Sequence, residues 1–160
     1  MKNTILAVDD EPANLRMLER LFHKEFHVLT ATGGEEALEI LKREQVSLII
    51  SDQRMPGMTG TELLSKSLST NPDAIKIILT GYTDPEALIE AINNAHVYKF
   101  VSKPWDPVGL KGIVREAIEE REGLIAQKRV IDGLVALMRS HPTLFPRHST
   151  EPELATMQVE

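Results

Sequence analysis

The feature that most constrains the fold of this 160-residue chain is an alternation. Short apolar runs rich in β-branched residues, Ile5–Val8, Phe26–Ala31, Val46–Ser51, Ile75–Thr80 and Val97–Lys103, take turns with segments whose apolar residues recur at helical spacing. That order builds a parallel sheet with helices on both faces. The helical stripes are Leu15, Leu18, Leu21 and Phe22; Ala37, Leu38 and Leu41; Leu63, Leu64 and Leu68; Leu88, Ala91, Ile92 and Ala95; and Leu110, Ile113, Val114, Ala117 and Ile118. Start signals agree with them. Thr59 and Glu62 have the capping-box spacing, and Asp84-Pro85 and Asp106-Pro107 each set a cap residue before a proline suited to a first helical turn. The reading is five β/α units over residues 1–121.

In an open parallel sheet, ligands bind at the carboxyl ends of the strands, near the point where strand order reverses. The first run ends in Asp9-Asp10, the third in Asp52, the fourth in Thr80 and the fifth in Lys103. Three carboxylates on neighbouring strands repel, by about 4 kcal/mol for each pair at ~4 Å and an effective dielectric near ~20. A divalent cation resolves that repulsion. An all-oxygen donor set with no His or Cys nearby in sequence favours Mg²⁺ over zinc. A carboxylate beside such a cation can act as a nucleophile toward phosphorus, and Asp52, at the end of the central run, suits that role. Lys103 then supplies an ammonium and Thr80 a hydroxyl for the charge on the phosphoryl oxygens. Taken one at a time, a strand-end Asp is more often a helix cap, and Thr80 and Lys103 are ordinary strand-end residues; it is their joint occurrence at one sheet edge that points to a site.

The order Asp9-Asp10, Asp52 in "SDQRMPGMTG", Thr80 in "LTGYTD" and Lys103-Pro104 in "VYKFVSKPWD" resembles the receiver domain of two-component response regulators, of the chemotaxis-regulator kind, over roughly residues 3–121. The resemblance implies a doubly wound, flavodoxin-like α/β fold with strand order 2-1-3-4-5 and an extended C-terminal helix. It implies that Asp52 accepts a phosphoryl group from a sensor histidine kinase or phosphotransfer protein. Asp10 and the backbone carbonyl of Arg54 would be direct Mg²⁺ ligands, with Asp9 acting through water and Asp52 completing the metal set. Thr80 and Lys103 would contact the phosphoryl group, and Tyr98, in the fifth strand, would turn inward with Thr80 as a switch. The Lys103-Pro104 bond is expected to be cis. Gln53 and Arg54 are expected to bear on access to Asp52, because long side chains there can cover the site. The wording is most similar to receivers that precede output modules, such as hydrogenase-type transcription activators or cyclic-dinucleotide phosphodiesterases.

After Arg121 the stripe Leu124, Ile125, Ile131, Leu134, Val135 and Met138 continues past Gly123 and Gly133, so the last helix either runs on or breaks and restarts. Residues 122–139 read as a helical extension, and 140–160, with Pro142, Pro146 and Pro152, as a flexible tail. The extension either couples two chains into a homodimer, packs on its own domain, or links to further sequence. The 39 residues after Arg121 (122–160) are too few for an enzymatic output domain and lack a basic recognition helix, so the expected output is contact with a downstream protein target. A formal charge of -6 argues against a general hold on nucleic acid or anionic lipid. The apolar run before Asp9 is too short for a signal peptide or membrane span, and the expected location is cytoplasmic. The absence of cysteine excludes disulfides, thiolate metal sites and thiol nucleophiles.

Two other classes share parts of this pattern. A Mg²⁺-dependent phosphatase with an aspartyl-phosphate intermediate would usually carry an acid two residues after the nucleophile, where Arg54 stands. A flavin-binding relative needs hydroxyls and amides in its first loop, whereas "DDEPAN" repels a phosphate.

Overall fold

A computed structural model of the chain describes residues 2–81, 85, 89 and 93–144. Its elements are β1 (Thr4–Val8), α1 (Pro12–Phe22), β2 (His27–Ala31), α2 (Gly34–Arg43), β3 (Leu48–Asp52), α3 (Gly60–Ser67), β4 (Ile75–Thr80), β5 (Lys99–Ser102) and α4 (Pro107–Ser140). The strands form one sheet in the order β2-β1-β3-β4-β5, each neighbouring pair parallel. This is the doubly wound, flavodoxin-like α/β architecture. The chain leaves β1 for β2 on one side and returns past β1 to β3 on the other, so strand order reverses between β1 and β3. A crevice at the carboxyl ends of those two strands is the expected consequence.

Alternation along each strand divides the core. Ile5, Ala7, Leu48, Ile50, Ile77 and Leu79 face the apolar stripes of α1 and α4, where Leu15, Leu18, Phe22, Leu110, Val114 and Ala117 are buried. Leu6, Val8, Ile49 and Ile78 point the other way, onto Ala37 and Leu41 of α2 and Leu63 and Leu64 of α3. β1 and β3 carry helices on both faces, which is why Ile5–Val8 and Leu48–Ile50 are apolar without a break.

Local signals fix the ends of the elements. Thr59 and Glu62 form a capping box at the start of α3. Asp106 caps α4 by accepting from the Gly109 N–H at 2.7 Å. Of the helix expected from Leu88, Ala91, Ile92 and Ala95, Leu88, Ala91, Ile92 and the cap residue Asp84 lie outside the described residues, as does the part of the expected 140–160 tail from residue 145 on. Gly123 and Gly133 do not interrupt α4, which is helical from Pro107 to Ser140. The chain divides into two compact units, Met1–Glu122 and Gly123–Glu160. In the first, α4 is tied down by Arg115 and Lys111 on Glu25, by Arg121 Nε on the Asp73 carbonyl and by Glu122 on Asn3. In the second, Leu124, Val130, Ile131, Leu134, Val135, Leu137 and Met138 are exposed. Among the described residues, no helix is long and apolar enough to cross a membrane.

Candidate functional site

β1 and β3 end side by side, with Val8 in register with Ser51. The residues that follow are therefore neighbours in space, and one carboxylate oxygen from each of Asp9, Asp10 and Asp52 lies within 4.8 Å of the others. Asp9 and Asp52 are buried and Asp10 is exposed. Asp9 is held by its own chain: its Oδ1 accepts from the Glu11 N–H at 2.9 Å, and its Oδ2 accepts from Asn14 Nδ2 at 3.1 Å. Burial nevertheless raises the Asp9 carboxyl above the usual range, and the Asp52 charge adds to this, against the Glu11, Asn14 and Lys103 interactions that lower it. Asp9 thus sits in a place that disfavours its negative charge and would gain from a cation.

Lys103 follows β5, and its backbone N–H is bonded to the Thr80 carbonyl at 2.8 Å. The Lys103-Pro104 peptide is cis. From there Lys103 Nζ reaches Asp52 Oδ1 at 2.7 Å and comes to 3.8 Å from Asp9 Oδ2. A cleft of ≈ 380 Å³ opens beside this pair, bordered by Asn14, Met17, Leu79, Pro104 and Trp105.

The loop from Asp52 to α3 is held closely. Gly57 has φ +82°, a left-handed conformation that suits glycine. At Gly60 a Cβ would lie 2.3 Å from the Asp52 carbonyl oxygen, so the first residue of α3 can approach the end of β3 only as glycine.

The other expected site residues are arranged differently. Thr80 ends β4 at the same edge, but its hydroxyl donates to the Gly81 carbonyl at 2.8 Å. Arg54 lies exposed in the loop after Asp52. Tyr98 was expected in the fifth strand and instead precedes it: its N–H bonds the Lys76 carbonyl at 2.8 Å, the β4–β5 ladder begins at Lys99, and the side chain is 37% exposed. Partial burial and the Glu120 and Glu116 carboxylates raise the Tyr98 phenol above its ordinary value. Gln53 is half-buried in the loop after Asp52. Its carboxamide turns to α3, where Nε2 donates to Thr61 Oγ1 at 3.3 Å and Oε1 accepts from the Thr61 N–H at 3.1 Å. Asn14 and Thr61 went unnoticed in the sequence; the only available signal was a polar residue in the first turn of a helix that follows a strand-end Asp.

A model of the response regulator receiver domain matches residues 5–115. The chain belongs to the response regulator receiver domain family. Receiver domains are regulatory phosphoacceptor modules rather than classical enzymes, they engage histidine kinases or phosphotransfer proteins, and they bind Mg²⁺ through acidic residues; the Asp9, Asp10 and Asp52 cluster fits that last property. Among relatives, the hydrogenase transcriptional regulatory protein HoxA of Cupriavidus necator is 40% identical over 146 residues, covering 91% of this chain and 30% of that protein. The sporulation initiation phosphotransferase F of Bacillus subtilis is 29% identical, covering 72% of this chain and 94% of that one. A crystal structure described as adenylate cyclase from Rhodopirellula baltica superposes with a TM-score of 0.77 at 32% identity, over 82% of this chain and 98% of that chain. This receiver spans less than a third of the first curated relatives it matches, 30% of HoxA from C. necator and 24% of HoxA from Bradyrhizobium diazoefficiens.

Proposed function

We propose that this receiver takes a phosphoryl group onto Asp52 from the phosphohistidine of a sensor kinase or phosphotransfer protein and passes the signal on by protein contact. The observation that carries the reading is the meeting of three carboxylates within 4.8 Å, with the Lys103 ammonium 2.7 Å from one Asp52 oxygen. Asp10 and the Arg54 carbonyl would hold Mg²⁺ directly, Asp9 through water. Bound there, Mg²⁺ neutralises charge on the incoming phosphoryl group. A carboxylate oxygen of Asp52 attacks phosphorus. The P–N bond to the donor imidazole breaks, its electron pair stays on the ring nitrogen, and an acyl phosphate results. Lys103 moves from pairing the carboxylate to pairing a phosphoryl oxygen. Thr80 gives up its bond to Gly81 and donates to another such oxygen, and Tyr98 turns into the space vacated. Phosphorylation in this way biases an existing two-state equilibrium.

Incubation with acetyl phosphate and Mg²⁺ tests this. The expected product carries one acid-labile phosphoryl group per chain, lost in Asp52→Asn. Sustained phosphate release over many turnovers would instead favour a phosphatase.

A second reading concerns the setting of the domain. Identity to HoxA runs over 146 residues, past the receiver and into α4, yet covers 30% of that protein. This supports a receiver that works as the regulatory part of a larger transcriptional regulator. In that setting residues 122–139 form the link, and their exposed apolar side chains pair two copies.

A further inference from the structure

Gln53 follows the phosphoacceptor, and four hydrogen bonds fix it. Its N–H donates to the Leu79 carbonyl of β4 at 3.1 Å, and its own carbonyl accepts from the Gly60 N–H at 3.0 Å. Its Oε1 accepts from the Thr61 N–H at 3.1 Å, and its Nε2 donates to Thr61 Oγ1 at 3.3 Å. The N–H groups of a helix's first turn have no partner within the helix. In α3, Thr59 satisfies the one on Glu62, while Gln53 satisfies those of Gly60 and Thr61, seven and eight residues further along the chain.

Thr59 is therefore only half of the cap. The other half belongs to the residue between Asp52 and Arg54. Residues 54–59 form a loop whose base is closed by these bonds and whose start is pressed against β3, since a Cβ on Gly60 would meet the Asp52 carbonyl oxygen. A loop closed at its base holds the backbone next to that base in one direction. The adjoining residue on the loop side is Arg54.

We propose that Gln53 is a positioning residue for the metal site: by docking its carboxamide on the start of α3 it sets the direction of the Arg54 carbonyl and so the affinity for Mg²⁺. The inference rests on the metal set assigned under Proposed function. It gives the side chain after the phosphoacceptor a role that neither the acidic cluster nor the Lys103 contact contains. Partners that orient metal ligands typically change metal affinity by about 10–100-fold when removed.

The test is Mg²⁺ titration of the full chain by calorimetry, with thermal unfolding of each variant recorded alongside. Gln53→Leu keeps the bulk and loses both carboxamide bonds; its affinity is expected to fall about 10-fold. Gln53→Glu can still accept from the Thr61 N–H and hydroxyl, and is expected to stay within about threefold of the native chain. Glu62→Ala breaks the capping box at the same helix end without touching Gln53. It should lower thermal stability while leaving Mg²⁺ affinity unchanged. Equal affinity in Gln53→Leu and the native chain overturns the proposal, as does an equal loss in Gln53→Leu and Glu62→Ala, which would mean that general loosening of α3 is responsible. If the native chain binds no Mg²⁺, or Asp10→Ala binds it as well as native, the metal set itself is wrong; failure of the Gln53 variants with Asp10→Ala behaving as expected condemns the positioning role alone.

Discussion

Lys103 lies much nearer Asp52 than Asp9, 2.7 Å against 3.8 Å, and this asymmetry separates two roles within one cluster. Its ammonium pairs with the proposed phosphoacceptor, while the buried Asp9 keeps its hydrogen bonds from the Glu11 N–H and the Asn14 side chain. Lys103→Ala is therefore expected to leave Mg²⁺ binding intact, with affinity equal to or above native because a competing cation is gone, and to weaken the structural response to phosphorylation. A loss of Mg²⁺ affinity comparable to that of Asp10→Ala, measured by the same titration, would contradict the assignment. Gly60→Ala is expected to cost about 1–3 kcal/mol in urea unfolding, since the added methyl must displace the backbone that carries Asp52. An unchanged midpoint would mean that the approach of α3 to β3 is looser than the structure has it. Asp9, Asp10, Asp52 and Lys103 could be read from the sequence because each follows an apolar run at one sheet edge. The directions taken by Gln53, Thr80 and Tyr98 could not, because they depend on which backbone group lies within reach after folding.

The strands that build this edge were legible in kind but not to the residue. Phe26, Val46 and Val97 belong to apolar runs yet precede the strands β2, β3 and β5. Phe26 is buried against the core, but its N–H closes a turn onto the Phe22 carbonyl; Val46 is buried with its N–H on the Asn71 side chain. Apolar patterning reports burial, whereas a strand is bounded by its hydrogen-bond ladder, and the two differ at strand entrances. Cross-chain polar ties were not legible at all. The turn before β2 and the first part of α4 meet through Glu25, which pairs with Arg115 and with Lys111 at 3.4 Å. The Arg115 hydrogen bond lowers the Glu25 carboxyl from its ordinary 4.5 to about 2. With the folded value lowered, the stabilisation is present above about 4.5 and is lost as pH falls toward about 2. Glu25→Gln should flatten the dependence of melting temperature on pH in that interval, by a modest amount because the pair is solvent-exposed. Parallel slopes for Glu25→Gln and native would show that the pair contributes nothing.

At the scale of the whole molecule, the receiver and the exposed stretch after it call for different treatment. Val130, Ile131, Leu134, Val135, Leu137 and Met138 are all exposed and together span roughly 160° of the helix circumference at 3.6 residues per turn. That arc is broader than the narrow seam of a two-stranded coiled coil, which accords with a proposed contact that buries more than one edge of α4. Sedimentation of the chain truncated after Arg121 checks this: a smaller assembly than the full chain is expected, and an unchanged one would place the contact elsewhere. The parallel topology and a site at the carboxyl ends of the strands followed from the alternation of apolar runs and helical stripes, because that alternation leaves few ways to cover a sheet, whereas the strand order was what the resemblance to receiver domains implied. What binds the exposed side chains of α4 did not follow, because a helical stripe reads alike whether it covers its own core or another chain. The central claim is that Asp10 and Asp52 converge on one hard cation, with Asp52 left to accept phosphorus. A crystal structure of the chain with Mg²⁺ and beryllofluoride tests it most directly. The account predicts a single Mg²⁺ on Asp10, Asp52 and the Arg54 carbonyl, with the beryllofluoride on Asp52 within reach of Lys103; Asp10 and Asp52 turned away from each other with nothing bound between them would contradict it.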